Sequence, residues 1–131
     1  MIKAYIGSMK NKDGSRTAVI VQAGKEEFRN KYILKNDCTL NLCELEGAIL
    51  AMETVEPKCR KEEVEIWTKS LYVVDLTTKD KEGNWISKPK ANKETVERFR
   101  NVYGTFSQIK FVHKKDDPMV KTAKELAISA C

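Results

Sequence analysis

Residues 39–56 constrain the fold most, because they form the clearest amphipathic helix in the sequence. Thr39 is a favourable N-cap residue, and Pro57 stops a helix that reaches it from the N-terminal side. Glu44 lies at the edge of the apolar stripe and not on the solvated face. Two interpretations of Glu44 stay open: an acid favoured near the helix start by the helix dipole, or a functional carboxylate. The stripe recurs at spacings of three and four through Leu42, Leu45, Ile49 and Met52.

Strand patterns surround this helix, three before it and two after it. Residues 8–15 are predicted to be a polar turn, with Asp13-Gly14 as the hairpin signal, and residues 77–91 a polar, basic loop. Asn92 and Asp117 are predicted to cap two later helices. The predicted strands are residues 2–7, 16–23, 26–34, 62–68 and 108–113, and further helices are predicted within 69–76, from Asn92 to Tyr103, and after Asp117. The element order is therefore β-β-β-α-β-α-α-β-α, beginning with an antiparallel meander.

Composition indicates one soluble domain over residues 1–131, with 41% hydrophobic and 33% charged residues. No apolar run reaches the roughly 18 residues of a membrane span, and the first ten residues do not resemble a signal peptide, so we expect a cytoplasmic protein. The net charge of +5 is compatible with an anionic partner such as nucleic acid. Without a CxxC pair and with one histidine, zinc binding is not expected, and the cysteines are predicted to be reduced thiols: Cys38, Cys43, Cys59 and Cys131.

Several short motifs, taken in chain order, resemble those of the type I ribonuclease H family, and the resemblance covers nearly the whole chain. Residues 4–8 (AYIGS) are similar to a first-strand motif in which an aspartate precedes Gly-Ser. Residues 39–45 (TLNLCEL) resemble the family's Thr-Asn-x-x-x-Glu-Leu helix start, and residues 66–73 (IWTKSLYV) its Thr-Asp-Ser-x-Tyr-Val strand motif. Further similarities are GNW at 83–85, KPKAN at 88–92, KFV at 110–112 and KELA at 124–127, the last on the helix where the family carries its final carboxylate.

The resemblance implies an α/β, ribonuclease H-like fold: a central five-stranded mixed sheet, three antiparallel strands first, flanked by helices. The family hydrolyses the RNA strand of an RNA–DNA hybrid with two divalent ions about 4 Å apart, held by several carboxylates. The matching positions here are Ile6, Glu44, Lys69 and Lys121, and only Glu44 is a carboxylate. We therefore predict no intact catalytic centre, no metal and no other cofactor. An internal ion pair of Glu44 with Lys69, shared with Lys121, is predicted in place of the metal charge.

The leading hypothesis is a catalytically inactive domain that binds an RNA–DNA hybrid or duplex through backbone contacts, which do not require metal. Simpler interpretations exist for several of the candidate residues: a solvated loop for Lys88 and Lys90, a loop anchor for Trp85, and a helix cap for Asn92. The candidate contact residues are Ser8, Asn41, Ser70, Trp85, Lys88, Lys90, Asn92, Lys114 and Lys115.

Two alternatives stay open from the sequence. A protein-interaction or scaffold domain of a larger nucleic-acid machine would use the exposed third strand, with Phe28 and Tyr32, as an edge for a partner. An active, magnesium- or manganese-dependent enzyme would need a rearranged site built from Glu44 with Asp116 or Asp117. Other polar residues give weaker candidates for such chemistry: Asp13, Asp75 and His113. The sequence leaves the oligomeric state open.

Overall fold

The computed structural model of this chain describes residues 1–11, 14–34, 38–55 and 57–129. Within these ranges the elements follow the predicted order, with a short 3-10 turn, Pro57–Cys59, after the first helix. The strands are β1 (Ile2–Asn11), β2 (Gly14–Ala23), β3 (Glu26–Leu34), β4 (Glu63–Thr68) and β5 (Gln108–His113). The helices are α1 (Leu40–Thr54), α2 (Leu71–Asp75), α3 (Lys93–Tyr103) and α4 (Pro118–Ile128). Every helix in these ranges is too short or too polar to cross a membrane.

The strands form one mixed sheet in the order β3-β2-β1-β4-β5. β1 pairs antiparallel with β2, and β2 with β3, because only short connections separate these strands. β4 runs parallel to β1, and β5 parallel to β4, because helices carry the chain back across the sheet between them. The predicted five-stranded mixed sheet, with its three antiparallel strands first, is confirmed. β3 and β5 form its two edges.

Two helical layers cover the sheet, and the alternation of side chains along β1 shows which helix packs on each face. Ala4 and Ile6 of β1 belong to the main core, together with the buried side chains of α1 and α3. Tyr5, which points the other way, packs with Val120 and Ala123 of α4. The central strand is therefore buried on both faces, and α1 lies on the face opposite α4.

The first hairpin is longer than predicted, because its strands continue to Asn11 and from Gly14. Residues 8–11 were expected to be a polar turn, but they continue the ladder, with Ser8 opposite Thr17. The hydroxyls of these two residues lie 2.7 Å apart and satisfy each other inside the core, so polar residues could occupy a strand here. Asp13 of the predicted hairpin signal lies outside the described residues, as do Glu56 and Cys131.

Of the three N-cap residues predicted from the sequence, two cap their helices in the structure and one does not. Thr39 accepts a hydrogen bond from the backbone N–H of Leu42, and Asp117 accepts from the N–H groups of Met119 and Val120. Asn92 precedes α3 but makes no side-chain cap bond, because it adopts a left-handed conformation with φ of 60°. An N-cap normally needs an extended backbone, so the predicted side-chain cap at Asn92 is wrong.

Candidate functional site

Glu44 is the only charged residue buried in the described part of the chain, and it is 2% exposed. It lies in the second turn of α1 and faces the end of β4, where Thr68 Oγ1 donates a hydrogen bond to its Oε2 at 3.1 Å. Its other oxygen, Oε1, has no hydrogen-bond partner. Glu44 lies beyond the first turn of α1, where the helix dipole has little effect, so the dipole does not account for a carboxyl group buried at this position.

Burial raises the pKa of Glu44 to about 7, although the Thr68 hydrogen bond and the positive charges of Lys69 and Lys124 act to lower it. Removing a carboxylate from water disfavours its charged form. At Glu44 this desolvation effect on the pKa is larger than the opposing effects of the hydrogen bond and the two lysines. Near neutral pH the group is therefore partly protonated, so it can donate as well as accept a hydrogen bond.

The predicted ion pair between Glu44 and Lys69 is wrong. Among the described residues Glu44 forms no ion pair; the pairs that do form include Arg29 with Glu27 and Arg98 with Glu46. Lys69 and Lys124 act on Glu44 through the electric field without contacting it. The α4 lysine that exerts this effect is Lys124, not the predicted Lys121, whose position one turn earlier places it near the start of the helix.

Two glycines bring α1 and α4 against the middle of β1, next to Ile6. A Cβ atom added to Gly7 would lie 2.0 Å from the backbone nitrogen of Lys124, and one added to Gly47 would lie 2.7 Å from Ile6 Cγ2. Ile6 itself is fully buried. These contacts bring Ile6, Glu44 and Lys124 together around the sheet, at the end where Lys69 follows β4.

The end of β5 fixes the backbone that carries Lys69. The Lys114 N–H donates to the Thr68 carbonyl at 2.8 Å, and His113 Nε2 lies 3.2 Å from the Lys69 carbonyl oxygen. His113 is exposed at the end of its strand. Its contact helps to hold the β4–α2 connection in place.

A cavity of about 320 Å³ opens beside Glu44, between the start of α1 and the β4–α2 connection. Ser70 is on its wall and also caps α2, accepting from the Val73 N–H at 3.3 Å. The wall combines two leucines and a tyrosine with amide, hydroxyl, carboxyl and ammonium groups. The residues around it are Leu40, Asn41, Glu44, Lys69, Ser70, Leu71 and Tyr72.

Trp85 anchors the 77–91 loop to α3. The Lys79 ammonium and the Arg100 guanidinium each lie 4.4 Å from its ring centre, and Tyr103 makes an edge contact with centroids 6.0 Å apart. Arg100 also donates to the Ser87 carbonyl at 2.7 Å. Because protein groups already occupy the ring, these contacts favour the loop-anchor interpretation of Trp85 over a platform for base stacking.

Ribonuclease H domains are among the solved structures to which this chain is similar. The N-terminal ribonuclease H domain of a Mycobacterium tuberculosis protein, solved as a fusion with maltose-binding protein, has a TM-score of 0.79 at 16% identity, over 98% of this chain and 97% of that one. Ribonuclease H1 of the halophilic archaeon Halobacterium salinarum has a TM-score of 0.77 at 18% identity, over 98% and 96% of the two chains. LC11 ribonuclease H1 in complex with an RNA/DNA hybrid has a TM-score of 0.68 at 19% identity, over 98% and 100%.

The chain has the ribonuclease H fold. At these identities the likeness establishes the fold alone, and no protein-family model and no curated protein sequence matches the chain. The fold predicted from the short motifs is confirmed.

The residues at the centre of this ribonuclease H fold do not fit the two metal ions that the family resemblance implies. Magnesium binds several hard oxygen ligands, whereas this centre offers one carboxyl group, an isoleucine and two lysines. Among the described residues no three carboxylate, histidine or cysteine side chains come close enough to hold a metal. Asp117 serves as the N-cap of α4, and its Oδ2 accepts hydrogen bonds from two N–H groups of that helix. Asp116 is exposed beside it.

The residues predicted to contact nucleic acid differ in their exposure to solvent in this ribonuclease H fold. Ser8 is fully buried with its hydroxyl against Thr17, so its side chain does not reach the surface. Lys114 is exposed, with its ammonium 5.4 Å from the centre of the Trp67 ring. Asn92 is half-buried and makes no cap bond. The exposed or half-exposed candidates are Asn41, Ser70, Trp85, Lys88, Lys90, Asn92, Lys114 and Lys115.

Sequence reasoning missed two side chains at the centre. Lys124 belongs to the KELA segment that resembles the family's last-carboxylate motif, so that segment contained the signal for its position. Thr68, the residue before Lys69, holds Glu44 through its hydroxyl, and its place in the Thr-Lys-Ser motif gave no indication of this partner.

Proposed function

We propose that this domain binds nucleic acid, either an RNA–DNA hybrid or another duplex, through backbone contacts, and does not cleave it. The observation that supports this most strongly is the composition of the centre: a single buried carboxyl group on which the positive charges of Lys69 and Lys124 act. Such a centre repels divalent cations and attracts phosphate. The fold supports the binding part of the proposal, since LC11 ribonuclease H1, which shares it, was solved with an RNA/DNA hybrid.

The basic loop before α3 supplies the first part of the proposed binding surface. Lys88 and Lys90 are exposed, and the anchoring of Trp85 on α3 holds the loop that carries them. Lys114 and Lys115 lie after β5, next to the backbone that positions Lys69. Phosphate contacts of this kind give affinity with little sequence preference and strong dependence on salt.

Replacing Lys88 and Lys90 together by alanine is expected to weaken hybrid binding. Each lost phosphate contact should lower the slope of log affinity against log salt by about 0.9 in magnitude. The measurement is fluorescence anisotropy with a labelled RNA–DNA hybrid at several salt concentrations, and Lys25→Ala in the β2–β3 turn is the matched control. A wild-type protein with no salt-dependent affinity for hybrid, duplex DNA or duplex RNA would contradict the proposal.

The exposed edge strand supports a second candidate, a protein-interaction domain. All residues of β3 before Leu34 are exposed, and three of them are large and apolar: Phe28, Tyr32 and Ile33. An unpaired edge of this kind can accept a strand from a partner. This function would be favoured if the chain binds no nucleic acid but binds a partner protein, and if substitutions in β3 abolish binding of that protein.

A further inference from the structure

The outer side of β3 is a long edge on which no described strand pairs. All of its residues before Leu34 are exposed, and the strand contains no proline or glycine that would interrupt pairing. The other edge strand, β5, has six residues where β3 has nine. A further strand can therefore pair with β3 along most of its length.

The turn between β2 and β3 determines which backbone groups of β3 point outward. Gly24-Lys25 is a two-residue turn, so the flanking Ala23 and Glu26 form a hydrogen-bonded pair. Such pairs recur at every second residue of an antiparallel ladder, so the even-numbered residues of β3 bond to β2. In agreement with this, the Lys31 N–H donates to the side chain of Asn30 at 2.9 Å. The outward N–H and C=O groups belong to Glu27, Arg29, Lys31 and Ile33.

The charges of β3 are complementary to those of a second, antiparallel copy of the same strand. When Arg29 stands opposite Arg29, each Glu27 stands opposite Lys31 of the other copy. Opposite charges directly across a ladder stabilise it. Glu27 accepts from Arg29 of its own chain at 2.9 Å, which offsets the repulsion between the two arginines at the centre.

The two neighbouring registers are less favourable. With Asn30 opposite Asn30, Arg29 would face Lys31 of the other copy at two places, and like charges directly across a ladder destabilise it. With Phe28 opposite Phe28, only residues 26–30 of each copy would pair, whereas the register centred on Arg29 pairs residues 26–32. Charge and length together therefore select the register centred on Arg29.

A cavity on the other face of the sheet fits this register. It has a volume of about 200 Å³, lies between the start of β3 and the end of α1, and has Val21, Phe28 and Glu26 in its wall. In the register centred on Arg29, Tyr32 of the second copy stands opposite Glu26 and points to the same face. Tyr32 is exposed in the single chain, and its apolar ring with a polar hydroxyl suits a cavity that is open to water on one side.

We propose that two copies of this chain associate through antiparallel pairing of their β3 strands, which joins the two five-stranded sheets into one, with Tyr32 of each copy at the cavity of the other. This inference goes beyond nucleic-acid binding and does not rest on it. Each copy contributes one strand and one ring, so the interface is small and we expect a dissociation constant in the micromolar range.

Sedimentation equilibrium of the whole chain tests the association. The expected mass rises from one chain to two as the concentration increases through the micromolar range, and it stops at two because the two-fold contact is closed. A chain that stays monomeric up to millimolar concentration overturns the inference and leaves β3 to a strand of a different protein. Species that continue to grow beyond two chains also overturn it.

Charge reversal tests the register. Glu27→Lys and Lys31→Glu each place like charges opposite each other at two positions, so we expect each variant alone to dimerise about tenfold more weakly than wild type. An equal mixture of the two variants restores opposite charges at both positions, and we expect it to dimerise as the wild type does. The matched control is Lys110→Glu, an exposed reversal on the far edge strand β5, which should retain the wild-type dimer. Wild-type dimerisation of both single variants overturns the register, as does a mixture that associates no better than either variant alone.

Replacing Tyr32 by serine tests the cavity contact. Tyr32 is exposed in the single chain, so the fold is expected to be retained, as circular dichroism can verify. Loss of the ring should weaken the dimer about tenfold, as for an anchor residue of an interface. The control is Ile86→Ser, an equally exposed apolar residue in the 77–91 loop, which should leave the dimer unchanged. Equal dimerisation of Tyr32→Ser and wild type would overturn the placement of Tyr32 at the cavity.

Discussion

Replacing Glu44 by glutamine is expected to raise the free energy of unfolding at pH 8 by about 3 kcal/mol. Burial raises the pKa of Glu44 from 4.5 to about 7, and each pKa unit corresponds to about 1.4 kcal/mol. Above pH 7 the wild-type protein keeps an ionised carboxylate in the core and bears this cost. Glutamine has the same shape, preserves an acceptor for the Thr68 hydroxyl and carries no charge.

The pH dependence of stability follows from the direction of this shift. Between pH 4.5 and about 7 the folded protein retains a proton on Glu44 that the unfolded chain has already released. The contribution of Glu44 protonation to the free energy of unfolding is therefore fully present below pH 4.5. It falls as pH rises from 4.5 to about 7, and it is lost above that range. Urea denaturation of wild type and Glu44→Gln between pH 4 and 8 measures the difference. The control is Glu53→Gln at an exposed position on the same helix. Equal stability of wild type and Glu44→Gln at pH 8 would show that Glu44 is not a buried, destabilised carboxyl.

Replacing Gly7 by alanine is expected to lower the free energy of unfolding by about 3 kcal/mol, near the upper end for overpacked cores. The new Cβ would lie 2.0 Å from the backbone nitrogen of Lys124, and no side-chain rotation can relieve an overlap with backbone. Helix α4 would have to move away from β1, disturbing the packing of Tyr5 with Val120 and Ala123.

The matched control for this substitution is Gly104→Ala. Gly104 follows α3 with φ of −66°, and an added Cβ would meet its nearest neighbours at 3.5 and 3.6 Å, which is ordinary contact. Chemical denaturation of both variants gives the comparison. Similar stability of Gly7→Ala and Gly104→Ala would contradict the close approach of α4 to β1.

The fold could be predicted from the sequence because the local hydrophobic patterns and the short motifs indicated the same order of strands and helices. The period-three-and-four stripe of α1, the alternation in β4 and the Pro-containing start of α4 each specify a local structure that packing then retains. The length of the first hairpin was underestimated, because Ser8, one of the polar residues that suggested a turn, forms a buried hydroxyl pair with Thr17 across the two strands. Local polarity cannot reveal a partner nine residues away.

The site could be predicted only in part, because its properties arise from burial and from contacts between distant segments. The sequence identified Glu44 and Lys69, but it predicted an ion pair where the structure shows a buried carboxyl held by Thr68. The KELA segment pointed to Lys124 instead of Lys121, and the close approach of α4 to β1 at Gly7 is the contact that places the Lys124 backbone beside the sheet. Asn92 illustrates the same limit, since its residue type predicts a cap and its backbone conformation prevents one.

The most direct test of the central claim is a calorimetric titration with magnesium and with manganese, accompanied by a cleavage assay on a labelled RNA–DNA hybrid in the same samples. The proposed function predicts no saturable metal binding and no cleavage, because a single carboxyl group influenced by two ammonium groups offers too few oxygen ligands for a divalent ion. Saturable metal binding with hybrid cleavage, both abolished in Glu44→Gln, would contradict the claim and would show that Glu44 belongs to a working catalytic centre.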